Sequence, residues 1–108
     1  HLPSVAEWNQ LISFVGTNAG SKLKEIGDDY WDVSIDVTNA FGFSARGGGS
    51  RQPTGFFNLR INGHWITSTQ DVNNENQMEA IWMQSNLGIA GNQQAPKDYA
   101  GSIRCVRD

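Results

Sequence analysis

The stretch Phe41–Thr69, FGFSARGGGSRQPTGFFNLRINGHWITST, constrains the chain more than any other. It holds six of the 12 glycines and four of the five phenylalanines. Glycines at this density serve sharp turns or close approach of one backbone to another. The stretch therefore reads as turn and loop up to Gly55, then as two strands. Phe56–Ile61 and His64–Thr69 are expected to form a hairpin about Asn62-Gly63, because both residues tolerate the positive φ of a type I′ turn. Phe57, Leu59 and Ile61 share one face of the first strand, and Trp65, Ile66, Thr67 and Thr69 populate the second.

The flanks read as supports. Residues 4–15, SVAEWNQLISFV, predict a helix: Ser4 and Glu7 have capping-box spacing, and Val5, Trp8, Leu11, Ile12 and Val15 share a face at 3.6 periodicity. Gly16 stands where a left-handed cap is expected. A shorter helix is expected over Ser21–Ile26, stopped by Gly27. Val33, Ile35 and Val37 alternate with Ser34 and Asp36 in a strand-like pattern. Gln70–Gln77 is polar and reads as a loop. Met78–Gln84 is consistent with a strand that buries Met78, Ala80 and Trp82 on one face and is partly covered on the other, with helix an alternative. Ser85–Gly101, with Pro96 and three glycines, argues against regular structure. Ser102–Arg107 closes the chain as a short strand. Helices first, then antiparallel strands joined by long polar loops, make an α+β arrangement. The expected core is Trp8, Leu11, Phe41, Phe43, Trp65, Trp82, Ile103 and Cys105.

Composition narrows the function classes. At 108 residues the chain is a single domain, with 38% hydrophobic and only 18% charged residues. Abundant Gly, Asn, Gln, Ser and Thr give the profile of a loop-rich extracellular or surface domain. Net charge is −3, and the one charge cluster, Glu25, Asp28, Asp29, Asp32 and Asp36, is acidic. It reads as a solvated rim, with a cation site the alternative. Nucleic acid is excluded as a partner because phosphate binding needs a basic face. No apolar run approaches the ~18 residues of a membrane span. No basic-plus-apolar leader stands at the front, so any export signal or first strand is expected upstream of His1. The lone Cys105 is odd in an extracellular setting: either it is a small buried core residue or its partner lies outside the chain.

Specific motifs fail one by one. Gly42 to Gly47 mimics the start of a phosphate-binding loop, but the Lys-Ser/Thr is absent and Gln52-Pro53 follows instead of a helix. Asp71, Asn73 and Glu75 have calcium-loop spacing, yet the sixth and twelfth positions are Asn76 and Trp82 instead of Gly and Glu. An isolated calcium site there stays open as an alternative. His1, His64 and Cys105 are not at zinc-ligand spacing. No nucleophile elbow or local carboxylate pair supports an enzyme, and no cofactor is implied.

With these residues read, the whole chain resembles the Fibrobacter succinogenes major paralogous domain, a family of bacterial secreted and surface proteins. The resemblance rests on HLPSVAEW at the start, Leu23-Lys24, GFSARGGGSR (Gly42–Arg51), GHWITST (Gly63–Thr69) and SIRCVRD at the end. The family pattern has a second Trp where Ile66 stands, Leu-Pro where Arg46-Gly47 stand, and Phe near Gly101 or Ser102. The resemblance implies a C-type lectin-like fold, kin also to formylglycine-generating enzymes, in which the chain ends pair. It implies that residues 1–108 are the C-terminal portion of a longer domain or protein, and that an upstream Cys bonds Cys105. The expected function is a non-catalytic binding or display module of an exported bacterial surface protein, such as an adhesin. The ligand expected is a glycan or a protein, and a structural or assembly domain of a surface fibre is the alternative. Contacts are expected from Arg46, Arg51, Asn73, Asn74, Asn76, Asn92, Gln93, Gln94 and Tyr99, because amides pair with sugar hydroxyls while an aromatic ring stacks on the sugar face.

Overall fold

A computed structural model describes all residues, 1–108. The chain is a small α+β domain with helices α1 (Val5–Val15) and α2 (Ala19–Leu23), followed by strands β1 (Ser50–Gln52), β2 (Gly55–Phe57), β3 (Asn62–Gln70), β4 (Gln77–Gln84) and β5 (Ala90–Pro96). β1 and β2 form one antiparallel pair, and β3-β4-β5 form a three-stranded antiparallel sheet with β4 in the middle.

The first helix forms as its sequence dictates. Ser4 Oγ accepts from Glu7 N at 3.2 Å and Glu7 Oε2 accepts from Ser4 N at 2.8 Å, so two of the orphan amides of the first turn are satisfied. Gly16 donates back to Ile12 O and ends the helix, but at φ 81° and ψ −148°, outside the left-handed region expected of it. The β3 strand then fixes where the helix sits: a register irregularity between Ile66 and Gln70 turns Thr69 Oγ1 toward Val5 N, 3.0 Å away.

One face of the large sheet is the core. Trp65, Ile81 and Met83 pack there with Trp8, Val15, Ala19, Leu23, Trp31 and Ala45. Trp31, absent from the expected core, is fully buried, and its Nε1 donates to Ala45 O at 2.9 Å. At about 25 cal/mol per Å2 of apolar surface, an indole buried this completely is among the largest single contributors to folding. Lys24 lies beneath it, also buried, with its ammonium 5.2 Å from the Trp31 ring centroid and hydrogen-bonded to the carbonyls of Gln84, Ser85 and Leu87.

The glycine-rich run passes through tight space. A Cβ at Gly47 would stand 2.7 Å from Tyr30 O, and one at Gly49, at φ +66°, 2.3 Å from Phe57 O. Here the glycines serve close backbone approach, as expected of them.

Several expectations are corrected. Asn62-Gly63 is not a hairpin turn: Asn62 pairs with Gln84 and Gly63 with Met83 at the start of β3. The positive φ values fall instead at Asn58 and Arg60. The hairpin in this stretch joins β1 to β2 through Pro53-Thr54, in the register Gln52↔Gly55. Residues 33–37 form no strand, with a turn at Ile35-Asp36, and α2 begins at Ala19 and ends at Leu23. Ser102–Arg107 makes only a single parallel bridge, Trp65↔Ser102. The tract expected to be irregular contains β5, stabilised by seven register partners on β4. In the expected core, Phe41 is 52% and Ile103 66% exposed, Cys105 is exposed and Trp82 is half-buried. Met78 and Ala80 are buried as expected, but Ile81 and Met83 on the other face, expected to be partly covered, are fully buried.

Candidate functional site

The second face of the β3-β4-β5 sheet is different in kind. Antiparallel partners share a face, and the register places Asn62, His64 and Ile66 beside Gln84, Trp82 and Ala80, with Gly91, Gln93 and Ala95 beyond. Ile66, Met78, Ala80 and Ala95 make a small apolar cluster at one end. Toward the other end the side chains turn to amides, an imidazole and an indole.

Two adjoining cavities open on this face. The first, of about 190 Å3, lies between the sheet, β1 and the turn at Tyr99, and is lined among others by Ser50, Gln52, Asn58, Gln93 and Tyr99. The second, of about 170 Å3, is lined by Asn62, His64, Trp82, Gln84 and Gln93. Asn62, His64 and Gln93 belong to both. No Asp, Glu, Lys or Arg lines either cavity, in a chain with 11 acidic and eight Lys or Arg residues.

The far wall is held by backbone. Arg51 and Ala100 exchange two hydrogen bonds, 2.9 and 2.8 Å, and Ser102 bonds His64 O and Ile66 N at 2.7 and 3.0 Å. Residues 100–102 thus tie β1 to the outer edge of β3, where His64 O and Ile66 N are both taken by Ser102.

His64 is the titratable group of the groove. Burial pushes its pKa below the ordinary value of 6.5, so the imidazole is neutral at pH 7. Its Nδ1 lies 2.9 Å from Gln93 Nε2. With the amide assigned as donor, the proton sits on Nε2, and Gln93 is held by a groove residue. Trp82 lies across Gly91: a Cβ there would stand 3.2 Å from Nε1 and 3.4 Å from Cε2 of the indole.

The structure gathers some of the expected contact residues and separates others. Gln93, Gln94 and Tyr99 border the first cavity, although Gln94 Nε2 donates to Glu79 Oε1 at 3.3 Å. Asn92 is exposed on β5, one residue out of phase with Gln93 and so on the opposite face. Asn76 sits beside Pro96, Lys97 and Asp98 at a separate depression. Asn73 and Asn74 lie in the β3–β4 turn, where Asn73 N donates to Asp71 Oδ1 and Asn74 Oδ1 accepts from Asn76 N. Arg46 pairs with Glu25 and lies 4.0 Å from the Tyr30 ring centroid. Arg51 lies over the Phe56 ring, pointing away from the groove that Ser50 and Gln52 line. Asn62, His64, Trp82 and Gln84 were not among the expected contacts. The signal for them is the period-two alternation of β4 once its pairing is known; Trp82 alone looks like core.

No group of three or more His, Cys, Asp or Glu side chains converges in a way that would hold a metal ion, and no helix is long and apolar enough to cross a membrane. No curated protein and no solved structure matches the chain. The family model described as the Fibrobacter succinogenes major domain matches residues 1–107, and the chain belongs to that family.

Proposed function

We propose that the protein is a non-catalytic binding module of an exported bacterial cell-surface protein, taking a glycan or protein ligand in the groove between β1 and the open face of the β3-β4-β5 sheet. One observation carries this reading: the groove gathers amides, a neutral imidazole and a half-open indole with no charged group among them. A hydrolase or transferase site needs an oriented acid, base or nucleophile. His64, the only titratable residue of the second cavity, has its Nδ1 occupied by Gln93 and no carboxylate beside it. Binding surfaces, by contrast, need many donors and acceptors and no reactive one.

The finer fold kinship to C-type lectins belongs to this proposal. It is supported by the pairing of the chain ends: Val106 N donates to His1 O at 2.8 Å, and the His1 ring bridges Asp108 and Glu7. The disulfide implied by family resemblance is supported by the position of Cys105, exposed within this paired end segment. Non-reducing mass spectrometry of the full-length protein checks it, a free thiol at Cys105 being the refuting result.

The module reading is tested by screening the purified protein on glycan arrays and in pull-downs from its native environment. Gln93→Ala and Tyr99→Ala are each expected to weaken the detected binding about tenfold while Arg46→Ala leaves it unchanged. Binding indifferent to both groove variants refutes the site. A second reading, assembly into a larger surface structure, is favoured by Phe56, Leu59 and Ile61, exposed together around β2 and the following turn, with Phe56 84% exposed. Concentration-dependent sedimentation that Phe56→Ser removes would establish it.

A further inference from the structure

We infer that the ligand is a neutral saccharide, with one sugar unit stacked on Trp82 and hydrogen-bonded to Asn62, Gln84 and Gln93. The inference rests on the groove reading above and narrows it. Three features of the site carry it: its charge, its aromatic platform and its closed strand edge.

The lining holds no acid and no Lys or Arg, and its imidazole is neutral. Moving an ionic ligand into such a site strips its hydration with no countercharge in return, which is strongly unfavourable. Amides suit hydroxyls, because each carries both donors and acceptors, as each hydroxyl does. Gln93 is already held by His64 at 2.9 Å, so less side-chain freedom is lost on binding.

Trp82 supplies the apolar half of the recognition. It projects from the central strand into a ring of polar side chains, and Gly91 on the neighbouring strand leaves the room in which the indole lies. An aromatic surface framed by amides matches a pyranose, which has an apolar C–H face and an equatorial rim of hydroxyls.

A peptide added as a strand along β3 is disfavoured by the same geometry. Extended peptides bind by adding to a free strand edge, but the β3 edge facing this groove is taken by Ser102, bonded to His64 O and Ile66 N. The two cavities share Asn62, His64 and Gln93, so they act as neighbouring subsites for consecutive sugar units, one on Trp82 and one toward Tyr99.

The test is a glycan array carrying neutral hexose, pentose and N-acetylhexosamine oligosaccharides beside sialylated, sulfated and uronic acid-containing ones, followed by calorimetric titration of the hits. Neutral glycans are expected to bind. Gln93→Ala, Trp82→Ala and Gly91→Val, the last by displacing the indole, should each raise Kd about tenfold, with thermal melts confirming the fold. The Asn73→Ala/Asn74→Ala double variant should bind as the wild type does. A silent array, or binding confined to anionic glycans, overturns the saccharide inference. A protein ligand lost with Gln93→Ala and Trp82→Ala also overturns it while leaving the groove reading intact. Glycan binding that all three groove variants leave unchanged overturns both.

Discussion

Replacing Lys24 by Met tests how the groove is held from beneath. The ammonium donates to Gln84 O at 2.8 Å, Ser85 O at 3.2 Å and Leu87 O at 2.8 Å, the carbonyls of the turn that joins β4 to β5. No carboxylate pairs with it, so the carbonyls and the Trp31 ring are its compensation for burial. Burial pushes its pKa down, the direction expected when desolvation outweighs those partners. Methionine has nearly the same length, removes the desolvation cost of about several kcal/mol, and forfeits three charge-assisted bonds of roughly 1.5–3 kcal/mol each. Gln84 O retains a bond from Leu87 N at 3.3 Å, whereas Ser85 O and Leu87 O have no other protein donor. The balance is a net loss of about 3 kcal/mol, or a Tm lower by about 15 °C for a domain of this size. Denaturant melts give the first figure and calorimetry the second. Hydrogen exchange adds a local check: the amides of Ser85 and Leu87, bonded to Ile61 O and Gln84 O, should exchange faster while those of α1 hold. A Lys24→Met protein as stable as the wild type would show that desolvation of the ammonium had outweighed all three bonds, and would refute the reasoning.

Three other perturbations have definite outcomes. In a His1→Gln background, stability should be level above about pH 6.5 and fall as pH drops below it, because the folded state holds His64 neutral after the unfolded chain has bound its proton. The background matters: Asp108 and Glu7 raise the pKa of His1, whose contribution is full at acidic pH and lost as pH rises through the folded value. His64→Gln should flatten the profile, and an unflattened one would place the titration elsewhere. Gly20→Ala should cost about 3 kcal/mol in urea melts, since its Cβ would meet Ile89 O at 2.3 Å, a backbone atom that no rotamer change can move aside. Gly42→Ala, with nothing within 4 Å at φ +65°, should cost only about 1–2 kcal/mol; a loss as large as that at Gly20 would contradict the steric account. Trp31→Phe should destabilise by about 2 kcal/mol, losing part of a buried ring and the Nε1 bond to Ala45 O, with the wild-type m-value retained.

What was legible in the sequence was what is locally determined. The capping box and the 3.6-residue period of α1 sit within a dozen residues and need no partner to be read. The Asn62-Gly63 signal misled because those residues answer to tertiary demands: a Cβ at Gly63 would stand 2.4 Å from the Trp65 ring, so this glycine makes space for the core instead of turning the chain. Residues 90–96 carry Gly, Asn, Gln and Pro, poor strand formers in isolation, and become β5 through pairing with β4. Pro96 falls at the strand end, where a missing N–H interrupts no ladder. Phe41 and Ile103 looked like core on size alone, yet burial depends on what arrives from elsewhere in the chain. Phe41 pairs with Phe14, at 5.6 Å between ring centroids, on an exposed surface.

The candidate site was hidden for a related reason. Its residues come from three places distant in sequence: 50–66, 80–84 and 93–100. The amide-rich tract supplied Gln93 and Tyr99, but the Phe41–Thr69 stretch, where contacts were expected only from Arg46 and Arg51, furnishes Ser50, Gln52, Asn58, Asn62 and His64 as one wall. Scaffold and site are compatible because they use opposite faces of β3. Trp65 enters the core while His64 and Ile66 face the groove, so one strand anchors the domain and presents the site. A slip of one residue in the β3–β4 register would exchange them, burying His64 and exposing Trp65. Exposing an indole and burying an imidazole opposes that slip, and Gly63, two residues before Trp65 on the same face, leaves the room its ring takes. The packing of Gly63 and Trp65 thus fixes which face of β3 lines the core and which lines the groove.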